Sequence, residues 1–190
     1  DDDVWLPPGA AKLDWEVELA VVIGQPAWHV PPDAALRVVA GYCLANDVSE
    51  RAQVDHVAQQ AIARFGRIDT WVNCAGCTIY GRLDEVLESD SRRLFDINFW
   101  GMVNGSLAAL PHLRMTGGAL VNVGSEASEL AIPLQGMYSA SKHAVNMMTD
   151  GMRQELGGKN IRVTTLMPGA TETEVADSIS DPQWRTAIKA

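Results

Sequence analysis

Residues 125–142 read S-E-A-S-E-L-A-I-P-L-Q-G-M-Y-S-A-S-K, and this stretch decides how the rest of the chain is interpreted. Tyr138 and Lys142 stand four residues apart in a segment typical of a helix, so their side chains lie on one face. A nearby cation favours the phenolate, and lowering a phenol pKa by about 3 units takes roughly 4 kcal/mol. Such a Tyr can exchange a proton with a hydroxyl or carbonyl. The alternative is an ordinary surface pair on a helix.

Ser125 follows the apolar run Ala119–Val123, which predicts a buried strand. Ser125 therefore lies just past the carboxyl end of that strand, where open α/β sheets bind their ligands. Two further strands are predicted, Ile68–Val72 and Ile161–Met167, the second ending at Pro168-Gly169. The first is followed by a tight loop of small residues, which lets a ligand approach the backbone closely.

Amphipathic segments separate these strands. Gln53–Phe65 has apolar residues at helical spacing and ends at Gly66, and a second long helix is predicted from about Asp90 to Leu113. Asn98 lies inside that second helix, where Asn is unfavourable unless its side chain has a structural or functional hydrogen bond. The Tyr138 helix continues to about Leu156. Strands that alternate with helices predict an α/β fold with a parallel sheet.

Composition narrows the class of protein. The 190 residues are 47% hydrophobic and 21% charged, which suits one sizeable core. The net charge of −9 argues against nucleic acid or an anionic membrane as a partner, and no apolar run approaches the roughly 18 residues of a membrane span. No signal-peptide pattern opens the sequence. Cys43, Cys74 and Cys77 form no disulfide framework and suit a reducing cytoplasm. Cys74 and Cys77 could also be a redox pair or a metal-binding pair.

The N-terminal portion has a different pattern. Trp15–Ile23 begins with alternation and ends as an apolar run, which predicts a strand. Glu16 and Glu18 then share one face, either as a solvated surface or as a site for a divalent cation, which prefers carboxylate oxygen. A helix is predicted from Asp33, with Val39 at the end of its apolar face.

About residues 47–190 resemble the short-chain dehydrogenase/reductase family. The resemblance is carried by an ordered set of elements, namely Asp47-Val48, Asn73-Cys74-Ala75-Gly76, Asn98, Ser125, Tyr138-x-x-x-Lys142 and Pro168-Gly169. It implies a partial doubly wound, Rossmann-like sheet and an oxidoreductase that uses NAD or NADP to interconvert a secondary alcohol and a carbonyl. It also implies a small-molecule substrate and a homo-oligomer.

The resemblance assigns roles to individual side chains. Tyr138 would be the general acid/base, and Ser125 would hydrogen-bond the substrate oxygen. Lys142 would lower the Tyr138 pKa and hold the nicotinamide ribose, and Asn98 would anchor a water relay. The residues implied in cofactor binding are Asp47, Asn73, Ala75, Gly76, Tyr138, Lys142, Pro168, Gly169 and Thr173.

Three features depart from that family's pattern. Cys74 stands where a second Asn is usual, and Ser128 stands where a Gly is common. No Gly-rich turn that could hold a pyrophosphate occurs before Asp47. The first βαβ unit is therefore expected to be absent, which predicts weak cofactor binding and an uncovered strand edge.

A second resemblance covers about residues 1–51. Residues 13–24, L-D-W-E-V-E-L-A-V-V-I-G, and residues 40–51, A-G-Y-C-L-A-N-D-V-S-E-R, are similar to the fumarylacetoacetate hydrolase family. This resemblance implies that Glu16, Glu18 and Asp47 bind Mg or Mn in a metal-dependent hydrolase or isomerase.

The two resemblances divide the chain into a short β-rich foreign fragment, 1–46, and a truncated dehydrogenase domain, 47–190. They overlap at residues 46–51, N-D-V-S-E-R, which fit both families and indicate a crossover between two unrelated sequences. A catalytically silent chimera is thus a further alternative.

Overall fold

A computed structural model describes residues 17–23, 39–46, 51–169 and 179–189; for the first two ranges it describes the backbone. The strands are β1 (Val17–Ile23), β2 (Val39–Asn46), β3 (Thr70–Asn73), β4 (Ala119–Val123) and β5 (Arg162–Leu166). The α-helices are α1 (Arg51–Phe65), α2 (Glu88–Phe95), α3 (Met102–Thr116), α4 (Gly136–Leu156) and α5 (Pro182–Lys189). A π-helical turn, Asp96–Gly101, joins α2 to α3, and a short 3-10 helix, Glu126–Ser128, follows β4.

The centre of the molecule is a parallel sheet in the order β3-β4-β5, as the alternation of strands and helices predicted. Thr70 pairs with Ala119 and Ala119 pairs with Arg162, so the three strands run in step and end at the same edge. Because parallel neighbours need crossover connections, α3 returns the chain to β4 and α4 returns it to β5.

Helices cover the sheet because its central strand is apolar except for Asn122. The α3 helix packs against β3 and β4, α4 packs against β4 and β5, and α1 packs on α3. Leu120 of β4 is fully buried. It joins one continuous cluster with residues from α1, α3, α4 and β5, which include Ala58, Leu113, Val145 and Val163. This core holds the carboxyl ends of the strands rigidly in place.

The long helix predicted from Asp90 to Leu113 is interrupted. The chain remains helical throughout, but residues 96–101 widen into a π-helical turn that contains Asn98. Such turns occur mostly as single interruptions of α-helices and are frequent at functional sites. The helical spacing of the sequence does not predict this π-helical turn. The Asn98 side chain within the turn forms hydrogen bonds with Cys77 and Ser141, which lie elsewhere in the chain.

The N-terminal strands form a separate antiparallel pair, β1 with β2, in which Val17 pairs with Asn46. The strand predicted at Trp15–Ile23 is confirmed over Val17–Ile23. Val39 had been placed on the apolar face of a helix, which is wrong, because β2 begins at this residue and pairs along its length with β1. The pairing of two apolar runs outweighs the weak helical pattern.

The strand β1 lies beside β3 but is not hydrogen-bonded into the parallel sheet. Two strands are described in this region, and the foreign, β-rich fragment stays a prediction. Among the described helices, none combines the length and the apolar character that crossing a membrane requires.

Candidate active site

The loops that follow β3, β4 and β5 meet at one edge of the sheet. They contain residues 73–76, residues 124–125 and residues 167–169, respectively. The Gly124 N–H donates to the Leu166 carbonyl at 2.8 Å, and the Glu126 N–H donates to the Pro168 carbonyl at 3.0 Å. The loop after β4 is thus fastened to the end of β5 and to the loop that follows it.

Lys142 reaches this edge from α4. Its side chain is buried, and Nζ donates to the carbonyl of Val123, the last residue of β4, at 3.0 Å. Nζ also lies 6.0 Å from the centre of the Tyr138 ring. The ammonium is therefore held between the end of the central strand and the phenol. A buried cation needs such partners, because desolvation without them is costly.

Tyr138 stands on the same face of α4, one turn before Lys142, and its ring is half-buried. Burial raises the pKa of the phenol above its ordinary value of 10.0, and this cause is the largest. A hydrogen bond with the Ser125 side chain lowers the pKa, while negative charge on Tyr80 or Cys77 raises it. The net direction is upward, opposite to the lowering expected from Lys142, because desolvation of the phenolate outweighs the other causes.

Ser125 begins the 3-10 helix as its N-cap. The Ala127 N–H donates to Ser125 Oγ at 3.2 Å, which occupies one lone pair of the hydroxyl. The hydrogen of the Ser125 hydroxyl is then available to donate to the Tyr138 oxygen. Such a hydrogen bond favours the phenolate, which agrees with the lowering of the Tyr138 pKa by Ser125. The arrangement makes Ser125 a hydrogen-bond donor at a site where a substrate oxygen could lie.

Asn98 joins the loop after β3 to α4. Its Oδ1 accepts from the Cys77 N–H at 2.9 Å, and its Nδ2 donates to the Cys77 carbonyl and to Ser141 Oγ, both at 3.0 Å. Asn98 is almost fully buried, so these bonds satisfy an amide that the core would otherwise penalise. The implied anchoring of a water relay stays a prediction, whereas the structural role of this side chain is evident.

Gly76 lies close to the side chains of Lys142 and Asn98. A Cβ at position 76 would lie 3.2 Å from Lys142 Nζ and 3.4 Å from Asn98 Oδ1. The absence of a side chain thus lets the loop backbone approach the ammonium and the amide. This close approach explains physically why a small residue is needed there.

Asn73 has a different environment from the one expected of a cofactor contact. Its Oδ1 accepts from Trp71 Nε1 at 2.8 Å, and its Nδ2 donates to Ser106 Oγ at 3.0 Å and to Asn122 Oδ1 at 2.7 Å. Asn122 continues the chain of bonds to Thr149 Oγ1 on α4. The Asn73 side chain therefore fastens β3 to β4 and α3, and any contact with a cofactor falls to its backbone.

Several residues around the site were missed by sequence reasoning. Ser141 and Tyr80 carry no motif of their own. Ser128 had been noted only where a Gly is common, although it lies three residues after Ser125, the spacing of a capping box. Cys77 had been considered only as a redox or metal-binding partner of Cys74. Its thiol is buried beside Tyr138, whereas Cys74 is exposed, and no disulfide joins these two described residues.

Some predicted residues lie outside the described part of the chain. These are Glu16, Asp47 and Thr173, and for Glu18 the structure describes only the backbone. The proposed Mg or Mn site therefore stays a prediction. Within the residues that are described, no group of three or more His, Cys, Asp or Glu side chains could hold a metal ion.

The family comparison agrees with this geometry. A family model described as short chain dehydrogenase matches residues 35–184, so the match begins within the segment 1–46. An uncharacterised oxidoreductase of Bacillus subtilis, YxnA, is 39% identical over 144 residues, which is 72% of this chain and 40% of YxnA. The chain thus spans less than half the length of this relative. The resemblance of residues 1–51 to fumarylacetoacetate hydrolases receives no support from these comparisons.

Solved structures share the fold and carry nicotinamide cofactors. A gluconate 5-dehydrogenase from Burkholderia cenocepacia, in complex with NADP and tartrate, is 36% identical with a TM-score of 0.65, covering 73% of this chain and 55% of its own. A short chain dehydrogenase/reductase from Burkholderia phymatum, in complex with NAD, is 30% identical with a TM-score of 0.66, covering 68% of this chain and 48% of its own.

Proposed function

Because the chain belongs to the short-chain dehydrogenase family, we propose that it interconverts a secondary alcohol and a carbonyl in an NAD- or NADP-dependent reaction. The observation that carries this proposal is the convergence of Tyr138, Ser125 and Lys142 at the carboxyl edge of the sheet. Tyr138 supplies a proton, Ser125 supplies a hydrogen bond and Lys142 supplies a positive charge.

The residues present fit the ribose and nicotinamide end of such a cofactor. Lys142 brings a buried ammonium to the edge, and Gly76 leaves the loop backbone beside it uncovered by any side chain. When bound, a nicotinamide cofactor supplies hydride chemistry, and the protein orients it. Residues for the pyrophosphate end were not identified in the sequence, since no Gly-rich turn precedes Asp47.

Proton transfer falls to Tyr138. The raised pKa keeps the phenol protonated at neutral pH, so it can donate a proton to the oxygen of a carbonyl substrate. Ser125 donates a hydrogen bond to the same oxygen, which favours the negative charge that develops there. Lys142 stabilises the resulting phenolate by its charge.

The test is NADH or NADPH oxidation with a panel of aldehydes and ketones. We expect Tyr138→Phe to lower kcat at least a thousandfold. Tyr80→Phe is the matched control, because it also removes one phenolic hydroxyl from the neighbourhood, and it should keep kcat within threefold. Turnover that survives in Tyr138→Phe would contradict the assigned role, and no turnover by the unmodified chain with either cofactor would favour a silent protein.

A further inference from the structure

We infer that a cleft beside Tyr138 binds the apolar substituent of the substrate, so that the substrates are uncharged ketones or secondary alcohols with a hydrophobic side arm. This inference rests on the proposed function and adds the chemical class of substrate. The cleft has a volume of about 380 Å³, which lies within the range of small-molecule sites of about 300–1,000 Å³. Six of its lining residues are apolar, namely Ile79, Leu83, Val86, Ile132, Leu134 and Met137.

Residues that line the cleft pack against the same buried apolar cluster as Tyr138. Ile79 belongs to a buried apolar cluster with Cys77 and Leu94, and Val86, Met137 and Tyr138 all pack against that cluster. Met137 also directly precedes Tyr138 on α4. A substrate whose oxygen meets Tyr138 and Ser125 would therefore extend its substituent along these apolar side chains.

The cleft is held in shape before any ligand binds. Leu134 adopts a left-handed backbone conformation, with φ of 67°, which costs free energy for a residue with a side chain. The Gly81 N–H donates to the Leu134 carbonyl at 2.9 Å and holds it there. Gly81 itself has a φ of +155°, and a Cβ at this position would lie 2.9 Å from Val86 Cγ2. Such preorganisation lowers the cost of binding.

The charged residues of the lining pair with each other or with a neighbour. Arg82 Nε lies 3.1 Å from Asp84 Oδ1 and 3.7 Å from Glu85 Oε1, and all three side chains are more than half exposed. The cation at the mouth is thus already balanced by carboxylates. A carboxylate on the substrate would meet the like charge of these two side chains and lose hydration, whereas an alkyl group would cover the exposed Leu83 and Ile132.

The experiment measures binding separately from turnover, using the full chain with Tyr138→Phe. Ligand-observed NMR titrations give Kd for 2-butanone, 2-hexanone and 2-octanone. We expect Kd to fall about threefold to fourfold for each added methylene group, since each is removed from water. The anion 5-oxohexanoate, which has a carboxylate in place of the terminal methyl group of 2-hexanone, should bind at least tenfold more weakly than 2-hexanone.

Substitutions of residues that line the cleft test whether the ketones bind there. Leu83→Asp and Ile132→Asp should each raise the Kd of 2-octanone at least fivefold. Leu83 is 81% exposed and Ile132 37%, so neither substitution disturbs the core. Leu130→Asp is the matched control, because Leu130 is 59% exposed and lies outside the lining, and it should change Kd by less than twofold.

Three outcomes would overturn the inference: the same Kd or no binding for all three ketones, tighter binding of 5-oxohexanoate than of 2-hexanone, or an equal loss in the Leu130 variant. Failure of the proposed function gives a different result, because the ketone series would then bind as expected while the unmodified chain oxidised no NADH or NADPH with them.

Discussion

The hydroxyl of Ser128 holds the backbone of Ser125 from both sides. Its Oγ accepts from the Ser125 N–H at 3.1 Å and donates to the Ser125 carbonyl. His143 Nδ1 contacts the Ser128 carbonyl at 2.9 Å, so the clamp is tied to α4, the helix that carries Tyr138 and Lys142. The position where a Gly had been noted as common therefore carries a side chain that orients the candidate catalytic serine.

Removing this clamp should impair the site without unfolding the protein. We expect Ser128→Ala to lower kcat/KM about tenfold, because losing a buried hydrogen bond costs about 1–2 kcal/mol and leaves Ser125 less well oriented. Ser139→Ala is the matched control, since its buried Oγ makes no hydrogen bond within the described residues. Equal activity of the two variants in steady-state assays would show that the clamp does not matter.

Adding one methyl group at Gly76 should disturb Lys142 and Asn98 together. The new Cβ would lie 3.2 Å from Lys142 Nζ, tighter than ordinary contact, and Nζ is held by its bond to the Val123 carbonyl. We expect Gly76→Ala to lower kcat about tenfold while the melting temperature changes by less than about 4 °C, the shift that follows from a loss of about 1 kcal/mol. Unchanged kcat would mean that the ammonium can move without consequence.

Two glycines in the helices should respond to Ala in opposite directions. A Cβ at Gly105 of α3 would overlap Asn73 Oδ1, so Gly105→Ala should lower the free energy of unfolding by about 1–3 kcal/mol through overpacking. A Cβ at Gly151 of α4 meets no atom within 4 Å, so Gly151→Ala should raise it by about 0.5–1 kcal/mol through helix propensity. Urea denaturation measures both, and a stable Gly105 variant would contradict the packing described for α3 and β3.

The raised pKa of Tyr138 should make stability depend on pH in the alkaline range. As the pH rises past the ordinary value of 10.0, the unfolded phenol ionises first, whereas the buried phenol stays neutral. The stabilisation from Tyr138 is therefore complete below pH 10 and is lost as the pH rises through the folded-state pKa. We expect the free energy of unfolding to fall more between pH 9 and 11 in the unmodified chain than in Tyr138→Phe.

Absorbance at 295 nm gives an independent check of the same pKa. The difference between the titration curves of the unmodified chain and Tyr138→Phe reports the ionisation of this phenol. A midpoint below 10 would show that the charge of Lys142 outweighs burial, as the spacing of the two residues had led us to expect. Tyr80 also has a raised pKa, through burial. Because its negative charge acts on Tyr138, the same difference is also measured with Tyr80→Phe in both proteins.

Much of the fold could be predicted from local pattern. The apolar runs at Ala119–Val123 and Ile161–Met167 become β4 and β5, and the helix that carries Tyr138 ends at Leu156, as predicted. The helix ending at Gly66 is likewise confirmed, with the glycine in a left-handed conformation. These elements are recognisable because hydrophobic periodicity and helix caps are properties of neighbouring residues.

Only part of the candidate site could be predicted from the local sequence pattern. Motif spacing predicted Tyr138, Lys142, Ser125 and Asn98 as site residues, but not the contacts that orient them. The contact of Ser128 with His143 and the π-helical turn at Asn98 involve partners that lie far along the chain or on another element. The β2 strand was mistaken at Val39 for the same reason, since its conformation depends on pairing with β1.

By itself, the sequence determined the candidate site residues Tyr138, Ser125, Lys142 and Asn98, and the order of strands and helices that brings them to one edge of the sheet. Only the tertiary structure decided whether the pKa of the Tyr138 phenol is raised or lowered. The spacing of Tyr138 and Lys142 indicates a lowered phenol pKa, but the packing of the ring raises it. Spacing along a helix sets which side chains are neighbours, whereas desolvation depends on everything that surrounds them in three dimensions.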